Sequence, residues 1–459
     1  MVVGRNREMD KLNTLHKNNK FECIIMYGRR RVGKTSIIQE FIKNKRAIYF
    51  LALEASERVN LNNFSKAVWT TYHDVLITPP RFNNFSDALD AIADLARNER
   101  VVLAIDEYPY LASSVAGCGS IFQAAIDTKL KDTQLFFILC GSSMSFMENQ
   151  VLGYESPLYG RRTAQFKIEP FDFFESMHFH PLYDVRDSAV AYGVTGGIPH
   201  YLGQFDDNQS IEENIIHSFF DSNSYLYEEP ANLLKQELRE PQVYNDIITA
   251  IATGSSRQNE ISTKAQLNTS VASKYLKTLI SLGIVQKECP ILGGNKKQTL
   301  YKIADGMFRF WYRFVPNNAS QIAAGAGKRV YAAIKPQISA FMGQTFEDIC
   351  KQYLWRENLA DRLPFYFHEC GRWWGSDPKT KTEQEIDLIA YEGANALFCE
   401  CKWSDTPVGV GVLHGLIKKS EIFSFANKYF ALFSKTGFTD ECKKAASKNM
   451  RLISIDKMV

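Results

Sequence analysis

The stretch Gly28-Arg29-Arg30-Arg31-Val32-Gly33-Lys34-Thr35 decides how the first part of this chain folds. An apolar run, Cys23–Tyr27, precedes it, and Ser36-Ile37-Ile38-Gln39-Glu40-Phe41, with helical spacing, follows it. The pattern GxxxxGK[ST] between a strand and a helix is that of a phosphate-binding loop. Glycines allow backbone N–H groups to turn inward around phosphates, and the N-terminus of the next helix adds partial positive charge. Lys34 is expected to reach the β- and γ-phosphates of a nucleotide and Thr35 to offer its hydroxyl to Mg²⁺. Gly28, Arg29, Arg30, Arg31, Val32, Gly33 and Ser36 complete the expected cradle.

Such a loop needs a carboxylate site nearby. Val101-Val102-Leu103-Ala104-Ile105-Asp106-Glu107 supplies one: an apolar strand ending in two acids. Asp106 is expected to hold Mg²⁺ and Glu107 to polarise the attacking water as general base. Leu135-Phe136-Phe137-Ile138-Leu139-Cys140-Gly141-Ser142-Ser143 predicts a strand beside the loop strand, presenting Ser142 or Ser143 near the γ-phosphate; a plain turn of small residues is the alternative. Arg161 and Arg162 are candidates for a cation that meets the γ-phosphate, with a solvated arginine pair as the competing reading.

These residues resemble the prokaryotic AAA-like ATPases of the signal-transduction class, the archaeal-type family in particular. The resemblance rests on Val3-Gly4-Arg5, the loop itself, Ile105-Asp106-Glu107, Cys140-Gly141-Ser142-Ser143 and Thr195-Gly196-Gly197-Ile198-Pro199. It implies ATP as the nucleotide, with Gly4 and Arg5 near the adenine. It also implies a sheet with an extra strand between the loop strand and the Asp106 strand, matched by Ala47–Leu51.

Working outward, 459 residues predict about three domains. Lys and Arg number 54 against 51 Asp and Glu, a net charge of +3, so any nucleic-acid-binding surface must be local. No apolar run approaches the roughly 18 residues of a membrane span, and Met1-Val2-Val3-Gly4-Arg5 turns charged at once, so a cytoplasmic chain is expected. The nine cysteines include no CxxC pair, which excludes a zinc ribbon and argues against a disulfide framework. His178 and His180 alternate on a strand-like run without further ligands and read as structural.

Residues 1–230 alternate strand and helix patterns, predicting a parallel α/β ATPase domain with a helical lid. Residues 240–310 read as three helices and two strands, a winged helix–turn–helix. Helix Ser270–Ile280 is expected to turn Val271, Tyr275, Leu276 and Leu279 inward and Lys274 and Lys277 outward, and Gly293-Gly294-Asn295 is the expected hairpin turn. The module can enter DNA or serve as a spacer or protein contact; with only two lysines on the outer face, the second use is favoured. Ala319–Lys328, rich in Ala and Gly, reads as a linker.

In residues 335–459, Glu383-Gln384-Glu385-Ile386-Asp387-Leu388-Ile389-Ala390 and Ala396-Leu397-Phe398-Cys399-Glu400-Cys401-Lys402-Trp403 predict a hairpin around Gly393. Strand alternation puts Glu400 and Lys402 on one face and Cys399 and Cys401 on the other. Asp387 can reach the same pocket. Two carboxylates and a lysine suit metal-assisted phosphodiester hydrolysis. The stretch resembles the PD-(D/E)xK restriction-endonuclease-like superfamily: Asp387 matches the first acid, Glu400-Cys401-Lys402 the ExK, and Glu347 the helical acid before the core. With Gly371-Arg372-Trp373-Trp374-Gly375 it also resembles the domain of unknown function 234 that follows such ATPases. The expectation is therefore an ATPase, using ATP and Mg²⁺, that controls a metal-dependent nuclease-like domain acting on DNA, with Glu347, Asp387 and Glu400 at the metal. The alternative is a nucleotide-dependent switch that binds DNA or a partner protein, with an inactive nuclease fold; assembly as a homo-oligomer or with a partner protein is open in either case.

Overall fold

A computed structural model of the chain describes residues 3–293 and 298–459. In its first unit, which ends at Pro170, five strands form one parallel sheet: β1 (Glu22–Tyr27), β2 (Ala47–Leu51), β3 (Val102–Asp106), β4 (Phe136–Gly141) and β5 (Ala164–Lys167). The spatial order is β2-β3-β4-β1-β5. β1, β2 and β3 each lie within a residue of the expected run. Every residue of β1, β3 and β4 is buried, because helices cover both faces of a parallel sheet. That burial is why these runs are apolar without interruption. β2, at the edge, alternates half-buried and buried positions and ends in the exposed Leu51.

The placement of β2 differs from the expectation in one respect. It intervenes along the chain between β1 and β3, but in the sheet β4 lies between them and β2 flanks β3 on the outside. The connection through α3 (Glu57–Thr71) and α4 (Phe85–Ala96) returns the chain to pair β3 with β2, and β4 inserts on the other side. α4 is capped by the Asn84 side chain, which accepts from the Asp87 N–H, and buries Phe85, Ala88, Leu89, Ile92, Ala93 and Ala96, an i, i+3, i+4, i+7 stripe. The loop after β1 and the acids after β3 emerge at the same carboxyl edge, where open parallel sheets hold their ligands.

The second unit begins at Phe171 and contains the helices Val185–Thr195, Ile211–Phe219 and Tyr225–Glu237, the region expected as a lid. Gly197 (φ 70°) shows why Thr195-Gly196-Gly197-Ile198-Pro199 is so composed: a Cβ there would stand 2.2 Å from the Phe171 carbonyl oxygen. His178 belongs to a 3₁₀ turn, Met177–Phe179, rather than a strand, and buried His180 hydrogen-bonds the Leu202 carbonyl through Nε2 at 3.0 Å.

Helices Pro241–Ala252, Gln258–Lys264 and Thr269–Ser281 follow, then the antiparallel pair β6 (Val285–Glu288) and β7 (Leu300–Ile303). The expected turn residues Gly294 and Asn295 lie outside the described residues. Val271 is exposed, contrary to expectation; Ala272, Leu276 and Leu279 form the buried stripe instead, an i, i+4, i+7 set rotated by one residue. The expected linker is helical, with one helix at Ala319–Ala323 and the long helix Gly327–Leu359 beginning inside it. Alanine favours helix, and Gly325 (φ 77°) makes the break between the two.

The last sheet is mixed, in the order β12-β11-β10-β9-β8. β8 (Glu369–Ser376), β9 (Glu383–Glu392) and β10 (Asn395–Lys402) are antiparallel, and β11 (Asn427–Ser434) and β12 (Met450–Ser454) continue parallel to β10. Trp373, Ile389, Phe398, Phe430 and Leu432 pack on one face with Leu413 and Leu416 of the helix Val410–Ser420. Among the described residues, no helix is long and apolar enough to cross a membrane.

Candidate functional site

The loop after β1 is held by its own chemistry. α2 (Lys34–Ile42) starts from Gly33 in the left-handed region (φ 92°), and Arg31 is left-handed as well (φ 70°). Lys34 Nζ donates to the Gly28 and Arg29 carbonyls at 2.8 and 2.9 Å, folding back across the loop. A Cβ on Gly28 would stand 2.3 Å from the Ile168 carbonyl oxygen, so a side chain there displaces the loop or β5. Val32 is fully buried, Arg29 and Lys34 are buried, and Ser36 lies exposed in the first turn of α2. Arg30 donates to the Tyr110 hydroxyl at 3.2 Å.

Gly4 and Arg5 sit just before α1 (Asn6–His16), and both are left-handed (φ 64° and 61°). The Arg5 side chain is only 4% exposed. Its Nη2 donates to the Val32 carbonyl at 3.1 Å and the Glu169 carbonyl at 2.6 Å. Its guanidinium thus braces the loop from beneath.

At the end of β3, Thr35 Oγ donates to Asp106 Oδ2 at 2.7 Å, bringing together the two expected metal-side residues. Asp106 Oδ1 accepts the Glu107 N–H at 2.9 Å. Glu107 is left-handed (φ 52°), a costly conformation for a residue with a Cβ. Ser142 Oγ, at the end of β4, donates to Glu107 Oε2 at 2.9 Å. Lys34, Thr35, Asp106, Glu107 and Ser142 are therefore gathered at one sheet edge. The oxygen donors Thr35 and Asp106 suit Mg²⁺, a hard cation.

Arg161 is not among the side chains that the fold brings to this edge. β5 starts by pairing Ala164 with Ile24, so Arg161 precedes the amino end of the parallel strands, whereas the loop leaves their carboxyl end. Arg161 instead makes a two-pronged ion pair with Asp127, Nε–Oδ1 2.8 Å and Nη2–Oδ2 2.7 Å. Two further side chains reach the site, and neither was assigned a role there from the sequence. The Tyr49 hydroxyl donates to Asp106 Oδ2 at 2.9 Å, and the buried Cys140 thiol hydrogen-bonds the same carboxylate.

In the second unit, Asp387 of β9 and Glu400 and Lys402 of β10 meet where the two strands part. Their ladder ends at Cys399–Leu388, and Asp387 Oδ2 then accepts the Cys401 N–H at 2.7 Å. Burial, reinforced by Glu400, pushes the Asp387 carboxyl up to about 6. Glu347, on the helix Gly327–Leu359, is pushed up to about 7 by burial and by Asp387. Lys402 Nζ donates to Glu400 Oε1 at 2.7 Å, and Lys419, from the helix Val410–Ser420, donates to Oε2 at 3.1 Å. Burial works against charge on Lys402, but Glu400 outweighs it and holds its pKa up. Arg372 of β8 pairs with Glu385 at 2.6 Å.

Both Glu400 oxygens thus carry ammonium groups. Among the described residues, no group of three His, Cys, Asp or Glu side chains is placed to hold a metal ion. A divalent cation held by Glu400 beside Asp387 and Glu347 would have to displace Lys402 or Lys419 from its carboxylate. Lys419 was invisible to sequence reasoning because its approach depends on how a helix packs over the sheet. The cysteines are free thiols: Cys401 hydrogen-bonds Cys350, and burial pushes Cys370 up to about 12.

Sequence comparison places these features among known proteins. An ATPase domain predominantly from Archaea matches residues 2–205, and a domain described for archaeal and bacterial proteins of unknown function matches residues 311–413. The uncharacterized protein MJECL04 of Methanocaldococcus jannaschii is 32% identical over 446 residues, 95% of this chain and 96% of that protein. The uncharacterized ATP-binding protein MJ0423 of the same organism is 48% identical over 46 residues, 10% of this chain and 78% of that protein. Among solved structures, the Walker-type ATPase paby2304 of Pyrococcus abyssi covers 68% of this chain and 96% of its own, at 20% identity and a TM-score of 0.49. The phosphate loop and the paired acids after β3 agree with the match over residues 2–205: the chain belongs to the archaeal ATPase family and carries the domain of unknown function 234 at residues 311–413.

Proposed function

We propose that the first unit binds Mg·ATP and hydrolyses it, and that the second unit contains a winged helix and a nuclease-like domain whose action on DNA follows the nucleotide state. The observation that carries the ATPase assignment is the chain Thr35–Asp106–Glu107–Ser142, hydrogen-bonded at the carboxyl edge beside the phosphate loop. In it, Lys34 binds phosphate and Thr35 and Asp106 hold the metal. Glu107 takes the proton from the attacking water while Ser142 orients its carboxylate. Mg²⁺, when bound, neutralises charge developing between the β- and γ-phosphates.

The carboxylate of Glu107 is the group to test. Glu107→Gln preserves size and hydrogen-bonding capacity, so ATP affinity should stay within about threefold while turnover falls by roughly 10²-fold or more. Equal loss of binding and turnover would refute the general-base role. The nuclease reading draws support from Asp387, Glu400 and Lys402 meeting where β9 and β10 part. Its test is DNA cleavage with Mn²⁺ or Mg²⁺, with and without ATP, beside Asp387→Ala. Cleavage that persists in the variant would remove this site from consideration.

One observation favours the second reading, a nucleotide-dependent switch with an inactive nuclease fold. Lys402 and Lys419 together cap both Glu400 oxygens. A purified chain that binds ATP yet cuts no DNA under any of these conditions would support it. The exposed Lys274 and Lys277 would then contact DNA or a protein partner.

A further inference from the structure

We infer that Tyr49 is a positioning residue for the metal side of the nucleotide site, clamping Asp106 in the orientation that Mg²⁺ requires. The inference rests on the ATP-binding reading above and concerns a residue that no motif marks.

The geometry begins with strand pairing. Ile48 and Phe50 enter the large core, so Tyr49 points to the opposite face of β2, toward α2. The residue directly across on β3 is Ala104, and two pairs further on, Leu51 faces Asp106. Diagonal neighbours on one sheet face lie within reach of an aromatic side chain. The small Ala104 leaves room for the tyrosine to extend along the strand, and its hydroxyl donates to Asp106 Oδ2 at 2.9 Å. Gln39, on the exposed side of α2, hydrogen-bonds the same hydroxyl.

Asp106 is 1% exposed. Thr35 and Tyr49 both donate to Oδ2, the Glu107 N–H donates to Oδ1, and the Cys140 thiol bonds the carboxylate as well. These four groups are neutral donors. They fix the carboxylate in place without neutralising its charge. The Thr35 hydroxyl can keep its proton on Oδ2 while its oxygen lone pair faces a metal. With Thr35 the only hydroxyl on Oδ2, that oxygen keeps more freedom to shift. The second donor on the same oxygen, delivered from a different strand, removes that freedom before the cation arrives, so less ordering remains to be done on binding.

The test measures binding rather than turnover. ATP affinity of the full chain is determined by calorimetry in EDTA and in saturating Mg²⁺, for wild type, Thr35→Ala, Tyr49→Phe and Gln39→Ala. In wild type, Mg²⁺ should tighten ATP binding, and Thr35→Ala should abolish that gain. Tyr49→Phe should keep metal-free affinity within about twofold and lose about tenfold of the Mg²⁺-dependent gain, the worth of one hydrogen bond to a charged group. Gln39→Ala, on an exposed helix position, should lose a smaller part of the same gain and covers the case in which Tyr49→Phe folds poorly. A full Mg²⁺ gain in Tyr49→Phe, or a loss of metal-free and metal-bound affinity in equal proportion, would overturn the role of Tyr49 alone. Wild type that binds no ATP at millimolar concentration would overturn the nucleotide reading, and the role of Tyr49 with it.

Discussion

Replacing Arg5 with alanine should weaken ATP and inorganic tripolyphosphate by the same factor. Arg5 reaches the Val32 and Glu169 carbonyls, so its guanidinium ties the N-terminal lead-in to the phosphate loop and to the segment after β5. Hydrogen bonds from a charged donor are worth roughly 1.5–3 kcal/mol each, so the two together hold the loop by about 3 kcal/mol or more. If half of that becomes an ordering cost at binding, affinity falls by about tenfold. A brace acts on the loop that holds the phosphates and is blind to the base. An adenine contact would act on ATP and leave tripolyphosphate untouched. Titration calorimetry with the two ligands separates these cases. Arg5→Lys should recover only part of the loss, since an ammonium is a compact point charge without the planar fork that serves two carbonyls. A tenfold loss for ATP with unchanged tripolyphosphate affinity would refute the brace and restore the adenine role that the lead-in resemblance implies.

Three further outcomes are expected. Ser142→Ala, which removes the hydrogen bond to Glu107 Oε2, should lower turnover by about tenfold with ATP affinity unchanged, read by phosphate release; no change in turnover would make Ser142 a bystander. Gly28→Ala places a Cβ 2.3 Å from a backbone oxygen that cannot move like a flexible side chain, so it should abolish ATP binding and lower the melting temperature; a crystal structure with an undisturbed loop would contradict this. Asp387 rises from 3.8 in the unfolded chain to about 6 in the fold, so folding favours its protonated form and its charge destabilises the native state as pH climbs through that window. Asp387→Asn should therefore match wild type below about pH 3 and exceed it above pH 7 by at most about 3 kcal/mol, measured by urea unfolding; a pH-independent difference would show that burial of its charge is not the cause.

Much of the first unit was legible because its determinants are local. A fully buried parallel strand must be apolar throughout, so β1, β3 and β4 stand out from their flanks, and the loop carries its glycines and lysine in eight consecutive residues. The C-terminal hairpin was equally plain, since Gly393 (φ 56°) marks its turn. Errors arose where a choice depended on packing. The helix Thr269–Ser281 offers Val271 and Ala272 side by side, and which one turns inward is settled by a rotation of about 100° against its neighbours. Arg161 looked available as a cation because its partner, Asp127, is 34 residues away in the chain.

By itself, the sequence determined the phosphate loop, the strands that carry it, the acids Asp106 and Glu107, and the placing of Glu400 and Lys402 on one face of a strand. These follow from spacing within one strand or one turn. Tertiary structure alone decided that β2 lies outside β3, so that Tyr49 meets Asp106, and that a helix carries Lys419 onto Glu400. It also turned Arg5 beneath the loop. Those contacts join segments 19 to 164 residues apart, and no local pattern records which of many distant polar groups will meet once the sheets and helices have packed.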